Sequence, residues 1–146
     1  MVSYLPCAIL SLNSYVLLLQ TTQELSNLRF LYIEGGNPDN PTTGTIPSEY
    51  GNLSNLLVLD IDKNNLTGTI PNEIYNLFYL EQLDINLNSL TGKISPQISG
   101  LTNLRYLQVS QNLFTGEIPK ELGSLNRLGK QHSAEEVTEI FIPPSY

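Results

Sequence analysis

The sequence has no tryptophan, one cysteine (Cys7), one histidine (His132) and one methionine in 146 residues. A single thiol and a single imidazole exclude an intrachain disulfide framework and a Cys/His zinc site. Positive charge is scarce as well, with 7 Lys+Arg against 14 Asp+Glu and a net charge of −7. Binding to a polynucleotide needs a basic stripe that displaces phosphate counterions, so nucleic acid is not an expected partner. No apolar run is long enough for a bilayer span. Residues 1–23 carry no charge, but Pro6, Asn13 and Ser14 interrupt them, and they fall short of the roughly 20 apolar residues needed. No Gly-rich phosphate loop is present, since Gly35-Gly36 belongs to an insertion described below. The length fits one architectural unit, without room for a large catalytic domain and a regulator.

What the chain does have is 26 leucines and 15 asparagines, a bias that signals repetition. Gly44, Gly68, Gly92 and Gly116 each follow the last by 24 residues, within Thr43-Gly44-Thr45-Ile46, Thr67-Gly68-Thr69-Ile70, Thr91-Gly92-Lys93-Ile94 and Thr115-Gly116-Glu117-Ile118. Upstream of each glycine the spacing L-x-x-L-x-L-x-x-N-x-L recurs. It reads Leu56, Leu59, Ile61, Asn64, Leu66, then Leu80, Leu83, Ile85, Asn88, Leu90, then Leu104, Leu107, Val109, Asn112, Phe114. A fourth unit begins at Leu28, Leu31 and Ile33 but is four residues longer, because Gly35-Gly36-Asn37-Pro38-Asp39-Asn40-Pro41 inserts a surface loop.

The L-x-L core places two side chains on one face of a short strand and turns the intervening residue to the other face. Asn64, Asn88 and Asn112 end these strands. Each amide can both donate to and accept from backbone groups that would otherwise be buried unpaired, so stacked units would align them in a ladder. After Pro47, Pro71 and Pro119, apolar residues fall at every third position: Tyr50, Leu53, Leu56; Ile74, Leu77, Leu80; Ile98, Leu101, Leu104; Leu122, Leu125, Leu128. A spacing of three fits a 3₁₀ turn better than an α-helix, with proline at its start where no N–H is required. Ser95-Pro96 displaces the proline by one in the third unit, for which a local adjustment is expected.

These residues resemble the leucine-rich-repeat family, in particular its plant-type subclass with the consensus L-t-G-x-I-P. The likeness covers roughly residues 25–128, and its sustained period makes it specific. It implies an α/β solenoid, a right-handed superhelix with a parallel concave β-sheet, a short second strand near Thr-Gly-x-Ile and convex 3₁₀ turns. The expected organisation is about four repeats over 25–130, flanked by 1–24 and 131–146. Residues 1–24 admit two readings. Val16-Leu17-Leu18-Leu19 could belong to a signal-like segment, although no Lys or Arg precedes it. Alternatively Leu5, Ala8, Leu10, Asn13 and Tyr15 keep the offsets of Leu80, Leu83, Ile85, Asn88 and Leu90, as in a degenerate N-terminal repeat. Residues 131–146 read as a C-terminal cap or a disordered tail, because Gln131 and Ser133 stand where apolar residues are due. The paired end-cap cysteines of many extracellular relatives are missing.

With the leucines committed to the core, specificity falls to the exposed strand positions, which stack in columns. One column is Phe30, Val58, Gln82 and Tyr106. The next is Tyr32, Asp60, Asp84 and Gln108, and the third is Glu34, Asp62, Asn86 and Ser110. The face is acidic in its middle and aromatic at its edges. The candidate ligand-binding residues are therefore Phe30, Tyr32, Glu34, Asp60, Asp62, Gln82, Asp84, Tyr106 and Gln108, and the expected partner is a basic protein or peptide. The bland alternative is a solvated face. No catalytic residues, cofactor or metal are expected: a regular shallow sheet offers no pocket to tune an acid, no D-x-D-x-D loop is present, and His132 has no neighbouring nucleophile or second ligand. Asn52-Leu53-Ser54 and Asn65-Leu66-Thr67 are sequons, although Asn65 also falls within the repeat motif. By resemblance, relatives are ectodomains of receptor-like proteins and kinases in signalling or defence. That implies recognition at the cell surface or outside the cell, with an intracellular module or a fragment of a larger receptor as alternatives. A rival function is adhesion to a polysaccharide or ice lattice through the ladder Thr43, Thr67, Thr91 and Thr115. The oligomeric state is not legible.

Overall fold

In the computed structural model, residues 7–9, 27–33 and 42–129 are described. Five three-residue strands, β1 (Cys7–Ile9), β2 (Phe30–Tyr32), β4 (Val58–Asp60), β6 (Gln82–Asp84) and β7 (Tyr106–Gln108), form one parallel sheet in the order β1-β2-β4-β6-β7. Between them, β3 (Thr43–Thr45) and β5 (Asn65–Thr67) form a second parallel pair. Among the described residues, the 3₁₀ helices η1 (Ser48–Asn52), η2 (Asn72–Asn76), η3 (Pro96–Gly100) and η4 (Lys120–Ser124) close the coils on the opposite side. The period has become a solenoid, one coil per unit.

Register follows the repeat. Leu31, Leu59, Leu83 and Leu107 lie opposite one another across β2, β4, β6 and β7, and each is buried. Ala8 of β1 stands opposite Leu31, in the same column. Burial of the leucines supplies the cohesion, at roughly 1.5–3 kcal/mol for each fully buried side chain. No coil could bury them unaided, so adjacent coils depend on one another.

The asparagine amides sew the coils together from inside. Asn88 Nδ2 donates to Ile61 O (3.0 Å), Ile85 O (3.2 Å) and Asn86 O (3.1 Å), while its Oδ1 accepts the Leu66 N–H (3.0 Å). Asn112 repeats the pattern on Ile85, Val109 and Ser110 and accepts from Leu90 N–H. Asn64 donates to Ile33, Ile61 and Asp62 carbonyls, but its buried Oδ1 has no partner among the described residues. The coil above it is the one that carries the insertion at 35–41, which lies outside the described residues.

The third unit adjusts as its sequence demands. Pro47, Pro71 and Pro119 precede their 3₁₀ helices without a side-chain cap, whereas Ser95 caps η3 by accepting the Gln97 N–H on Oγ (3.2 Å), with Pro96 at the first helical position. Tyr75 is an unexpected core residue. It is buried because the equivalent positions in neighbouring coils are Gly51 and Ser99, and its hydroxyl accepts the Ser95 N–H (3.4 Å). Among the described residues, no helix is long and apolar enough to cross a membrane.

Candidate ligand-binding face

The strands bring the outward columns into register. Phe30, Val58, Gln82 and Tyr106 form one row across β2, β4, β6 and β7, and Tyr32, Asp60, Asp84 and Gln108 form the next. Neighbouring strands lie about 4.8 Å apart, and alternate residues along a strand about 6.7 Å apart, so the two rows make a compact grid. Asp62 and Asn86 follow on the turns leaving β4 and β6. Glu34 and His132 lie outside the described residues.

Three carboxylates converge in this grid. Asp60, Asp62 and Asp84 each present an oxygen within 4.8 Å of the others. Those three oxygens are fewer than the six to eight that calcium takes. Local geometry holds two of the acids. Asp60 Oδ1 accepts the Asp62 N–H (3.3 Å), and Asp84 Oδ1 accepts both the Asn86 N–H (3.2 Å) and the Asn86 Nδ2 (2.7 Å). Asp62 is paired with the exposed Lys63 (2.7 Å), the only ion pair to the cluster among the described residues.

Asp84 departs from expectation. A freely exposed strand position was anticipated, yet it is only 8% exposed. Its neighbours in the row are Asp60 and Gln108, and its own oxygen is engaged by Asn86, so little of it reaches solvent. Withdrawal from water makes ionisation costly. Burial pushes the Asp60 carboxyl up to about 6; the Asp62 N–H opposes this, and the charges of Asp84 and Asp62 add to it. Asp84 is also raised, first by burial, against the opposing hydrogen bonds from Asn86.

Aromatic side chains flank the acids. Tyr32 and Tyr106 are half-buried, and Phe30 lies beneath the Arg29 guanidinium at 5.9 Å from its ring centroid. The Tyr106 phenol is raised above its ordinary value, first by burial, with a hydrogen bond to Gln108 opposing. Arg105 and Glu81 pair loosely at the rim (3.6 Å). Sequence reasoning missed one feature beside this face: exposed Phe78 and Tyr79 on the turn into β6. The other repeats have Ser54-Asn55 and Thr102-Asn103 there, and that break in the period was the available signal.

The strand-and-3₁₀ coil, the asparagine ladder and the Leu columns together match one family. The Leucine Rich Repeat profile fits residues 55–77, 79–101 and 103–125. The chain is a leucine-rich-repeat protein. Among solved structures it is similar to the plant peptide hormone receptor RGFR1 in complex with RGF2, at 38% identity and a TM-score of 0.63 over 72% of this chain and 17% of that one. It is similar also to the ectodomain of the receptor kinase SOBIR1 from Arabidopsis thaliana, at 33% identity and a TM-score of 0.64, covering 72% of this chain and 54% of that one. A plant ice-binding protein matches at 33% identity and a TM-score of 0.58, over 65% of this chain and 34% of that one. These likenesses make the repeats those of the plant type. The chain spans well under two thirds of each of these three proteins. No curated protein sequence matches it.

Proposed function

We propose that this leucine-rich-repeat chain is a non-catalytic recognition module that binds a basic protein or peptide on the face built by β2, β4, β6 and β7. The observation that carries this reading is the gathering of Asp60, Asp62 and Asp84 within 4.8 Å, with Lys63 as their sole charge partner among the described residues. Folding gains nothing from crowding Asp62 against Asp60 and Asp84, whose ionisation burial already disfavours. A guanidinium or ammonium from a partner would supply the missing charge, and Tyr32 and Tyr106 would pack against its aliphatic stem. The likeness to a peptide hormone receptor and to a receptor-kinase ectodomain supports the same reading, together with a role in signalling at the cell surface or outside the cell. In a secretory setting, exposed Asn52 and Asn65 would be glycan acceptors.

We also propose that residues 5–15 form an additional N-terminal repeat, on the strength of the register that sets Ala8 beside Leu31.

The test is a displayed random-peptide library panned on the protein. Enrichment of Arg or Lys beside an aromatic or aliphatic residue is expected, with binding weakened about tenfold or more by the double change Asp60→Asn and Asp84→Asn, and also by Tyr106→Ala. Recovered peptides that bind all variants equally would refute the assignment.

A second reading draws on the similarity to an ice-binding protein and on the exposed column Thr43, Thr67, Thr91 and Thr115. Thr67, Thr91 and Thr115 donate their hydroxyls to the Gly44, Gly68 and Gly92 carbonyls at 3.1–3.3 Å, so their methyls and oxygen lone pairs form a regular ladder. Adhesion to an ordered surface would show as inhibition of ice recrystallisation that Thr67→Lys removes and Asp60→Asn leaves intact.

A further inference from the structure

Phe78 and Tyr79 stand side by side on the turn between η2 and β6, 59% and 57% exposed. The turn is fixed from two directions: Phe78 N–H donates to Asn76 O (2.9 Å), and Asn103 Nδ2 of the next coil donates to Phe78 O (2.6 Å). Two large rings held in water on a pinned turn call for an occupant.

Their surroundings favour a small polar one. Ser54, Asn55 and Thr102, all exposed, stand around them on the adjoining coils. Two aromatic side chains supply about 150–250 Å² each, against about 800 Å² per partner in a stable protein interface. Rings set among amides and hydroxyls suit a pyranose. One face of the sugar presents C–H groups whose slight positive charge complements the negative face of an aromatic ring, and its acetamido and hydroxyl groups hydrogen-bond to amides.

The preceding coil offers the sugar. Its sequon Asn52-Leu53-Ser54 reads Asn76-Leu77-Phe78 24 residues later, so Phe78 stands where a hydroxyl would complete a second acceptor. Asn52 ends η1, is exposed, and lies where the coils nearly touch, since a Cβ on Gly51 would be 2.5 Å from Glu73 Cβ in η2. Ser54 N–H donates to Asn52 O (2.9 Å), the same turn as at Phe78, so acceptor and rings share one edge, a single coil apart.

We propose that Phe78 and Tyr79 are the platform for the N-acetylglucosamine core of a glycan carried on Asn52. Attachment forms the bond from Asn52 Nδ2 to the sugar C1 as the C1–O bond to a lipid diphosphate donor breaks and one amide proton leaves. The tether holds the sugar at high effective concentration, so weak stacking suffices. The proposal rests on the secretory setting of the functional reading and uses none of the acidic residues. Its test is the full chain secreted from a eukaryotic host, with Asn65→Gln removing the other acceptor. Proton NMR should place the acetyl methyls of the core upfield of their free-sugar positions, shifted by the ring current, and Phe78→Ala with Tyr79→Ala should return them. Asn52→Gln should lower Tm by about 2–4 °C, and by little once both rings are alanine, because sugar and rings form one contact. An Asn52 that mass mapping finds unmodified would overturn the proposal, and protein held in the cells would overturn the secretory setting with it. A glycan on Asn52 with free-sugar methyl positions would overturn the proposal alone. So would a dimer in light scattering that Phe78→Ala dissociates, since the rings would then belong to a second copy.

Discussion

At the scale of single residues, the acids of the proposed binding face and the asparagines of the core illustrate opposite uses of burial. Asp60 has a folded-state pKa of about 6 against an ordinary 3.8. Because that value is raised, the folded protein holds the extra proton between about pH 4 and 6. Stability therefore falls as pH rises through that window and is flat above it. Asp60→Asn should accordingly raise stability at pH 7, by about 1–2 kcal/mol after allowance for solvent screening, and flatten the profile. Urea denaturation at pH 4 and pH 7 checks this, and an unchanged pH profile would show that Asp60 ionises freely. Asn88 is the contrary case. Its amide satisfies backbone groups of two coils, so Asn88→Ala should cost about 2–4 kcal/mol, while the half-exposed Asn112→Ala should cost less. The asparagine positions were legible because the period marks them. The burial of Asp84 was not, since it depends on Gln108 and Asn86 closing around it from other strands and turns.

At the scale of elements, the turns and 3₁₀ helices decide how closely coils approach. Gly92 has φ +83°, and a Cβ there would lie 2.8 Å from Thr69 Cγ2. Gly51, in η1, would place a Cβ 2.5 Å from Glu73 Cβ and 2.7 Å from its carbonyl oxygen. Gly123, in η4, meets nothing within 4 Å. Gly92→Ala and Gly51→Ala should therefore lower Tm markedly, and Gly123→Ala should leave it unchanged or slightly raised. Equal effects at all three would contradict the close approach. The glycine of the Thr-Gly motif was legible in the period. The demand at Gly51 was not, for it arises from stacking on the next coil. Lys63, Leu87 and Gln111 have φ of 51°, 53° and 52°, one per repeat just before the ladder asparagine. This left-handed turn recurs without glycine, so composition does not reveal it. Replacing Leu87 by Asn, which tolerates that conformation, should maintain or raise Tm.

At the scale of the whole molecule, a fixed period dictates a stack in which function has to occupy the columns that the core leaves free. The fold was legible almost throughout, because every coil repeats the same solution for burying leucine. The face was legible as columns, but its electrostatic character emerges only when Asp60, Asp62 and Asp84 meet across two coils. The most direct test of the account is the affinity of a library-selected basic peptide, measured by calorimetry from pH 4.5 to 7.5 at two salt concentrations. Affinity should rise as pH passes through the Asp60 value of about 6 and level off about one unit above it. It should weaken with salt, and Asp60→Asn with Asp84→Asn should remove most of both dependences. Affinity indifferent to pH, salt and these substitutions would contradict the assignment of the acidic face as the binding site.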